Sequence, residues 1–401
     1  MVVERAYRPS IAAAYALFVL VGITAGSGGV LLPSQISDYG VDKATIGLTF
    51  FTFSAGFMAA GVTVGRLVHR LGIAHAIAVG GGAFTIAALY TGVRPSFAAL
   101  VAVQIVAGYG FGVLESVLNA YLSELPNAAT LLNRLHGFFG AGALIGPPLA
   151  AWMLQSMRWT AVWLLLAAVS AVLVAAFLIA VRAIAEVRRS PQATTPPKGL
   201  LRDSLRSRGV VFGALFLAVY VGLEISVGNW GFSFLVGHFD QAALLAGYTI
   251  SGYWLGLTIG RFVISPLSAR ARISPAVTSF GCLGGVALSS VLIWASPVAA
   301  VAAAGFVLLG FCLAPLFPTA MAMAPQLTEK RLVPTAIGAM NGASVIGGSF
   351  FSWVSGAIAQ GAGVWTLMPF VLVLAVLLLG LWQRLVANVI VTDAQPAAEL
   401  V

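Results

Sequence analysis

The chain has 401 residues, of which 60% are hydrophobic and only 8% charged. A water-soluble domain carries about 25% charged residues, so this composition excludes a soluble globular protein and reads as an integral membrane protein. The formal net charge of +9 forms no basic patch on a soluble domain, which argues against a nucleic-acid partner.

A mainly apolar run of about 20 residues crosses a bilayer as a helix. In chain order such runs lie near 11–34, 45–68, 74–93, 97–122, 133–154, 159–181, 209–236, 242–265, 275–295, 297–323, 333–359 and 363–384. The first follows Arg5 and Arg8 but is too long for a signal-peptide core and lacks a clear cleavage site, so it reads as an uncleaved first span. The runs break at polar, Pro or Gly clusters such as SQISDYGVDK, VRPS, SELPN and LTEKRLVP. Barrel strands would be shorter and would alternate. The expected fold is an all-α membrane protein of twelve transmembrane helices.

The basic residues test that count. With the N-terminus inside, one face receives Lys43, Arg94 and Arg158, and the other receives the remaining eighteen of 21 Lys and Arg. This positive-inside bias places both termini in the cytoplasm of a multi-pass inner-membrane protein and accounts for the net charge. The one long connection, 182–208, carries Arg188, Arg189, Lys198, Arg202 and Arg206. It reads as a basic cytoplasmic linker, facing water and anionic lipid, between six-helix bundles at 1–181 and 209–401. Cys282 and Cys312 both lie in apolar runs and imply no disulfide framework.

The halves repeat weakly. VGITAG from Val21 matches VGLEIS from Val221, and TVGRLVHR from Thr63 matches TIGRFVIS from Thr258. GYGFG from Gly108 parallels LGFCL from Leu309, and GALIG from Gly142 parallels ASVIG from Ala343. Four matches in one order at nearly one offset indicate two pseudo-symmetric halves, the layout of a rocking transporter with its site at the midplane.

GRLVHRLG after the second span and GRFVISPLSAR after the eighth resemble the signature loop of the major facilitator superfamily. That loop usually carries an acid where this chain has His69. The resemblance makes Arg66, Arg70 and Arg261 candidates for inside-gate contacts with helix ends or Glu124; the alternative is that they only anchor the cytoplasmic side. Further blocks, GVLESVLNAYL, RLHGFFGAGALIGPPLA, YVGLEISVGNWGFSFL, YWLGLTIGR and FPTAMAMA, together resemble the fucose–proton symporter family, which includes bacterial glucose/mannose symporters. The resemblance implies that Glu115 is a proton-coupling carboxylate and Asn119 its polar neighbour. The first span has Gly26-Ser27-Gly28-Gly29 where fucose transporters carry an acid. His136 and Phe139 stand where those transporters carry amides. A different hexose or deoxyhexose is therefore expected, rather than fucose.

Physical reasoning reaches Glu115 independently. Only Glu115 and Glu224 lie well inside apolar runs. A charged carboxylate at depth costs about 2.5–3.5 kcal/mol on insertion scales, so such an acid usually faces a cavity and serves transport. Glu115 lies seven residues before Leu122, roughly 10 Å deep at 1.5 Å per residue, and shares a helix face with Asn119. Glu224 lies nearer the midplane. Glu115 is assigned to the proton, and Glu224 to solute hydroxyls or a second coupling role. The alternative for either is a structural acid tied to a neighbouring helix, or to Arg134 for Glu115. Sugar hydroxyls call for amides and aromatic plates, for which the candidates are Asn119, His136, Asn229, Trp230, Trp254 and Asn341.

The expected function is alternating-access symport of a sugar with protons by a monomer in the lipid bilayer. The rival is a proton-coupled efflux antiporter for drugs or small amphipathic solutes, since GALIGPPLA resembles the Gly-Pro motif of exporters. No nucleophile–base set, metal-ligand cluster or cofactor loop is present, so no enzyme, metal or cofactor is expected. GYGFG lies mid-membrane and reads as helix packing rather than a phosphate cradle.

Overall fold

The computed structural model describes residues 2–182 and 200–389. Contacts divide the chain into two compact units, Met1–Thr195 and Pro196–Val401. Arg188, Arg189 and Lys198 of the expected linker lie outside the described residues.

The first unit contains α1 (Val2–Tyr39), α2 (Lys43–Ile46), α3 (Leu48–Gly92), α4 (Phe97–Ser123), α5 (Ala128–Met153) and α6 (Trp159–Arg182). The second contains α7 (Leu200–Arg206), α8 (Arg208–Phe239), α9 (Ala243–Arg270), α10 (Pro275–Ala295), α11 (Ala299–Leu313), α12 (Leu316–Ala322), α13 (Ala324–Leu327), α14 (Val333–Ala362) and α15 (Leu367–Ala387). Each of the twelve apolar runs is helical. Among the described residues, nine stretches are long and apolar enough to cross a membrane, and one of them, Lys43–Gly92, holds two of the expected runs. The helices α5 and α9, of 26 and 28 residues, are long enough but richer in Gly, Pro and polar side chains. The end of the expected linker differs from the sequence reading: Leu200–Arg206 forms about two helical turns, and Ser207 caps α8 by accepting from Val210 N–H.

Local chemistry sets the helix ends. Ser96 and Ser274 cap α4 and α10 by accepting from Ala99 and Val277 N–H, and Pro275 opens α10 where its missing N–H costs nothing. The signature GRLVHRLG ends at Gly72, whose φ of 78° and ψ of 166° break α3 into two arms. Any side chain would be strained at that backbone angle.

Within each unit, helices pair through glycine. Lipid chains are as apolar as leucine, so helices associate in membranes by close packing, and small residues let backbones touch. In the first unit a Cβ added at Gly22 would overlap the Phe139 carbonyl oxygen, and one at Gly142 would overlap that of Val19, so α1 and α5 meet backbone to backbone. The pair α3 and α4 repeats this at Gly56 on Ile105 and Gly108 on Phe53. In the second unit, Gly347 of α14 sits on the Ala218 carbonyl of α8, and Gly256 of α9 and Gly310 of α11 sit on each other's helices. The sequence repeats that relate Gly22 to Gly222 and Gly146 to Gly347 thus mark equivalent crossings. GYGFG is a packing element: Gly108 and Gly110 bring α4 against both arms of α3. Large aromatic side chains fill the remaining space, among them Phe18, Tyr121 and Phe177 in the first unit and Trp230, Phe234, Phe306 and Trp382 in the second. Exposed side chains on the spans, such as Val62, Ile86 and Ile179, are apolar and suited to lipid.

One polar lock closes the end of the first unit away from the N-terminus. The Asp38 carboxylate accepts from Arg94 Nε at 2.6 Å and Trp159 Nε1 at 2.9 Å, and the Arg94 guanidinium lies over the Tyr39 ring.

Gly22→Ala is expected to destabilise the purified protein by about 1–3 kcal/mol through overpacking, measured as a lower melting temperature in detergent. Gly28→Ala, with nothing within 4 Å of the added methyl, should melt like the wild type. Equal melting of the two variants would refute the backbone-contact account.

Candidate functional site

In the first unit, Glu115 lies on α4 with its side chain half-buried. Among the described residues no hydrogen bond or ion pair reaches its carboxylate. Arg134, the structural partner considered from sequence, is exposed on α5 and makes no ion pair with it. Asn119 shares the helix face as expected, but its Nδ2 donates to the Glu115 backbone carbonyl at 2.8 Å rather than to the carboxylate. That bond anchors the amide and leaves its side-chain oxygen as an acceptor. His136 is exposed on α5, with its ring edge-on to Phe18 at 5.8 Å. Arg66 and Arg70 are exposed in the last turns of α3 before Gly72. Neither makes an ion pair among the described residues, and Glu124 forms the C-cap of α4.

In the second unit the structure assembles a cluster that the sequence reading had split. Tyr220, Glu224 and Gly228 are spaced by four along α8 and form one stripe toward α9. The Glu224 carboxyl is faced by the Arg261 guanidinium and the Tyr220 hydroxyl. Tyr220 also donates to the Leu313 carbonyl at 3.1 Å, and the Tyr253 hydroxyl donates to the Glu224 backbone carbonyl at 3.2 Å. Arg261, expected at an inside gate, lies on α9 where its charge acts on Glu224, without an ion pair within 4 Å among the described residues. Its Nε is buried without a hydrogen-bond partner. Trp254, one helical face along α9, is 4% exposed, and its Nε1–H likewise lacks an acceptor. Gly228 faces the Trp254 ring, where a Cβ would lie 3.2 Å from it. Among the described residues, Arg261 Nε and Trp254 Nε1 are two of six buried polar side-chain atoms without a hydrogen-bond partner, and the two that lie in this cluster.

The other predicted contacts lie elsewhere. Asn229 Nδ2 donates to Ser352 Oγ at 2.9 Å, and Trp230 Nε1 donates to the Ser352 carbonyl at 2.8 Å. Both side chains therefore tie α8 to α14, and Trp230 is buried in that seam. Asn341 is exposed on α14, and its carbonyl accepts from the Ser344 hydroxyl. Tyr220 was missed from sequence. Its signal was the spacing of four before an intramembrane acid.

Two bundles of membrane-length helices, each with a carboxyl set into its wall, define a multi-pass membrane transporter rather than an enzyme. The family model described as Major Facilitator Superfamily matches residues 14–278, and the chain belongs to that superfamily. It is 23% identical over 373 residues to the glucose/mannose transporter GlcP of Bacillus subtilis, covering 90% of this chain and 92% of that one. It is 25% identical to bypass of stop codon protein 6 of Saccharomyces cerevisiae, covering 87% of this chain and 76% of that one. Among solved structures, the nucleoside transporter NupG superposes with a TM-score of 0.77 at 15% identity, over 94% of this chain and 99% of that one. The E. coli fucose:proton symporter FucP superposes with a TM-score of 0.62 at 17% identity, over 94% of this chain and 98% of that one. At such identities the structural matches establish the fold alone.

Arg261→Gln is expected to destabilise the protein by about 2 kcal/mol, less than the ~3–5 kcal/mol of a fully buried pair, because Glu224 loses the positive charge that acts on it. The double variant Glu224→Gln/Arg261→Gln should recover most of that loss in a thermal melt. Additive losses in the double variant would show that the two groups do not balance each other.

Proposed function

We propose that the protein is a secondary active transporter that moves a sugar, a hexose or deoxyhexose, together with a proton by alternating access. The observation that carries the reading is Glu115: an intramembrane carboxyl with no cation and no donor among the described residues. Such a group is costly while charged and inexpensive once protonated, so proton loading changes the relative stability of conformations that expose it differently to water. Glu224 contrasts with it, because the positive charge of Arg261 acts on it. The proton role therefore falls to Glu115, and Glu224 serves as an acceptor for solute hydroxyls.

A sugar presents several hydroxyls that both donate and accept. In the second unit Glu224 offers an acceptor, and Trp254 Nε1 and Arg261 Nε offer donors; within the first unit the Asn119 side-chain oxygen offers an acceptor. The Trp254 ring supplies an apolar face, packed closely against Gly228 of α8. Asn229 contributes through its amide oxygen, His136 and Asn341 from the exposed faces of α5 and α14, and Trp230 by holding α8 on α14. Arg66 and Arg70 act at the inner gate. The relatedness to glucose/mannose and glucose/galactose transporters over most of the chain supports a sugar as the solute. The protein works as a monomer in the inner membrane with both termini in the cytoplasm, in keeping with the distribution of Lys and Arg.

The test uses purified protein in liposomes with a trapped pH dye and a panel of hexoses and 6-deoxyhexoses outside. Sugar-driven lumenal acidification is the expected result. Silence toward every sugar alongside a response to hydrophobic cations would replace the symport reading with efflux. Glu115→Gln should abolish concentrative uptake while leaving sugar exchange; normal accumulation in that variant would remove Glu115 from coupling. Trp254→Phe keeps the ring and deletes the donor, so the apparent KM should rise about five- to tenfold, the scale of one hydrogen bond worth about 1 kcal/mol. An unchanged KM would take Trp254 out of the site.

A further inference from the structure

The first unit contains a cavity of about 560 Å³ that the transport reading does not use. Tyr7, Arg8 and Tyr15 of α1 line one side, and Asn127, Thr130 and Arg134 line the other. The cavity lies where α1 begins and α4 hands over to α5. On α4, Glu115 lies nine residues before Glu124, the C-cap of that helix, or roughly 13 Å at 1.5 Å per residue. The cavity and the coupling carboxyl are thus separate features of one bundle.

The walls are tied in place. The Ser10 hydroxyl lies 2.6 Å from the Tyr121 hydroxyl and 2.9 Å from the Tyr7 carbonyl, fixing the first turns of α1 against α4. The Tyr15 ring stacks on Phe138 with centroids 4.7 Å apart, and its hydroxyl donates to the Leu131 carbonyl, fixing the next turn against α5. Two guanidiniums, Arg8 and Arg134, face this framework from opposite sides. Neither forms an ion pair among the described residues, and no described acid lines the cavity. A pair of guanidiniums without ion-pair partners among the described residues, lining a tyrosine-bearing hollow, matches the charge of a phosphate group and offers planar forks of donors to its oxygens. The volume falls within the usual range of about 300–1,000 Å³ for small-molecule pockets, far more than bare phosphate needs. The ligand therefore carries a body beyond its phosphate, against walls that include Ile11, Leu125, Pro126 and Leu131.

We propose that this cavity binds a phosphate-bearing ligand through Arg8 and Arg134. Two sources share that chemistry: the headgroup of an anionic phospholipid in the surrounding bilayer, and a soluble sugar phosphate. The proposal does not depend on the identity of the transported solute.

The experiment uses the full-length protein in nanodiscs. In one arm, native mass spectrometry counts phosphatidylglycerol retained from mixed phosphatidylcholine/phosphatidylglycerol discs. In the other, calorimetry titrates glucose 6-phosphate into protein in pure phosphatidylcholine discs. Retention that falls at least tenfold in Arg8→Gln/Arg134→Gln, with no glucose 6-phosphate binding, assigns the site to lipid. Glucose 6-phosphate binding that weakens at least tenfold in the same variant assigns it to a soluble ligand. Both substituted side chains are exposed, so the variants should fold, and a melting curve matching the wild type confirms it. Should the double variant melt early, Arg8→Lys/Arg134→Lys, which keeps the charge but loses the fork, replaces it with an expected intermediate loss. Equal retention and equal binding in wild type and variants would overturn the proposal.

Discussion

Helices that touch through their backbones are the constraint on which everything else rests. A bilayer gives no hydrophobic reward for pairing one apolar helix with another, so the gain comes from the closeness of the contact. Gly22 and Gly142 bring α1 onto α5, and Gly56 and Gly108 bring α3 onto α4, at distances that no side chain would permit. Gly256 with Gly310, and Gly347 against α8, do the same in the second unit. Because these contacts are between backbones, they fix the rotation of each helix about its axis. The rotation in turn decides which side chains of α4, α8 and α9 look at one another, and so places Glu115 without a cation and Glu224 opposite Arg261.

The two intramembrane acids show how environment divides roles between identical functional groups. Among the described residues, Glu115 meets no donor, so none of them supports its charge. Glu224 meets Arg261 and Tyr220, so its charge is shared within one bundle. The sequence presents both simply as glutamates in apolar runs. The difference lies in what a second helix brings to each, and that depends on packing registers that periodicity does not encode.

Much of the architecture was legible beforehand. Long apolar runs and the skewed distribution of Lys and Arg speak directly to membrane insertion, and each run is helical where expected. Glycine spacing in GYGFG and in the repeat of Gly146 with Gly347 foretold the crossings. The site was harder to read. Arg261 sits in a stretch that resembles a loop signature, yet α9 continues through it to Arg270 and carries Arg261 within the bundle. Trp230 and Asn229 follow an acid closely in sequence, but five and six residues of helix turn them toward α14 instead of α9. Aromatic and amide residues look alike as ligand contacts and as seams, and only the Ser352 bonds distinguish them.

Tyr220 stands one helical turn before Glu224, and its hydroxyl donates to the Leu313 carbonyl at 3.1 Å. Leu313 is the last residue of α11, and the chain resumes as α12 only after Ala314 and Pro315. The residue one turn before an intramembrane acid is thus moored to the end of a different helix, so any movement of that helix break is passed directly to the stripe of α8 that carries the acid.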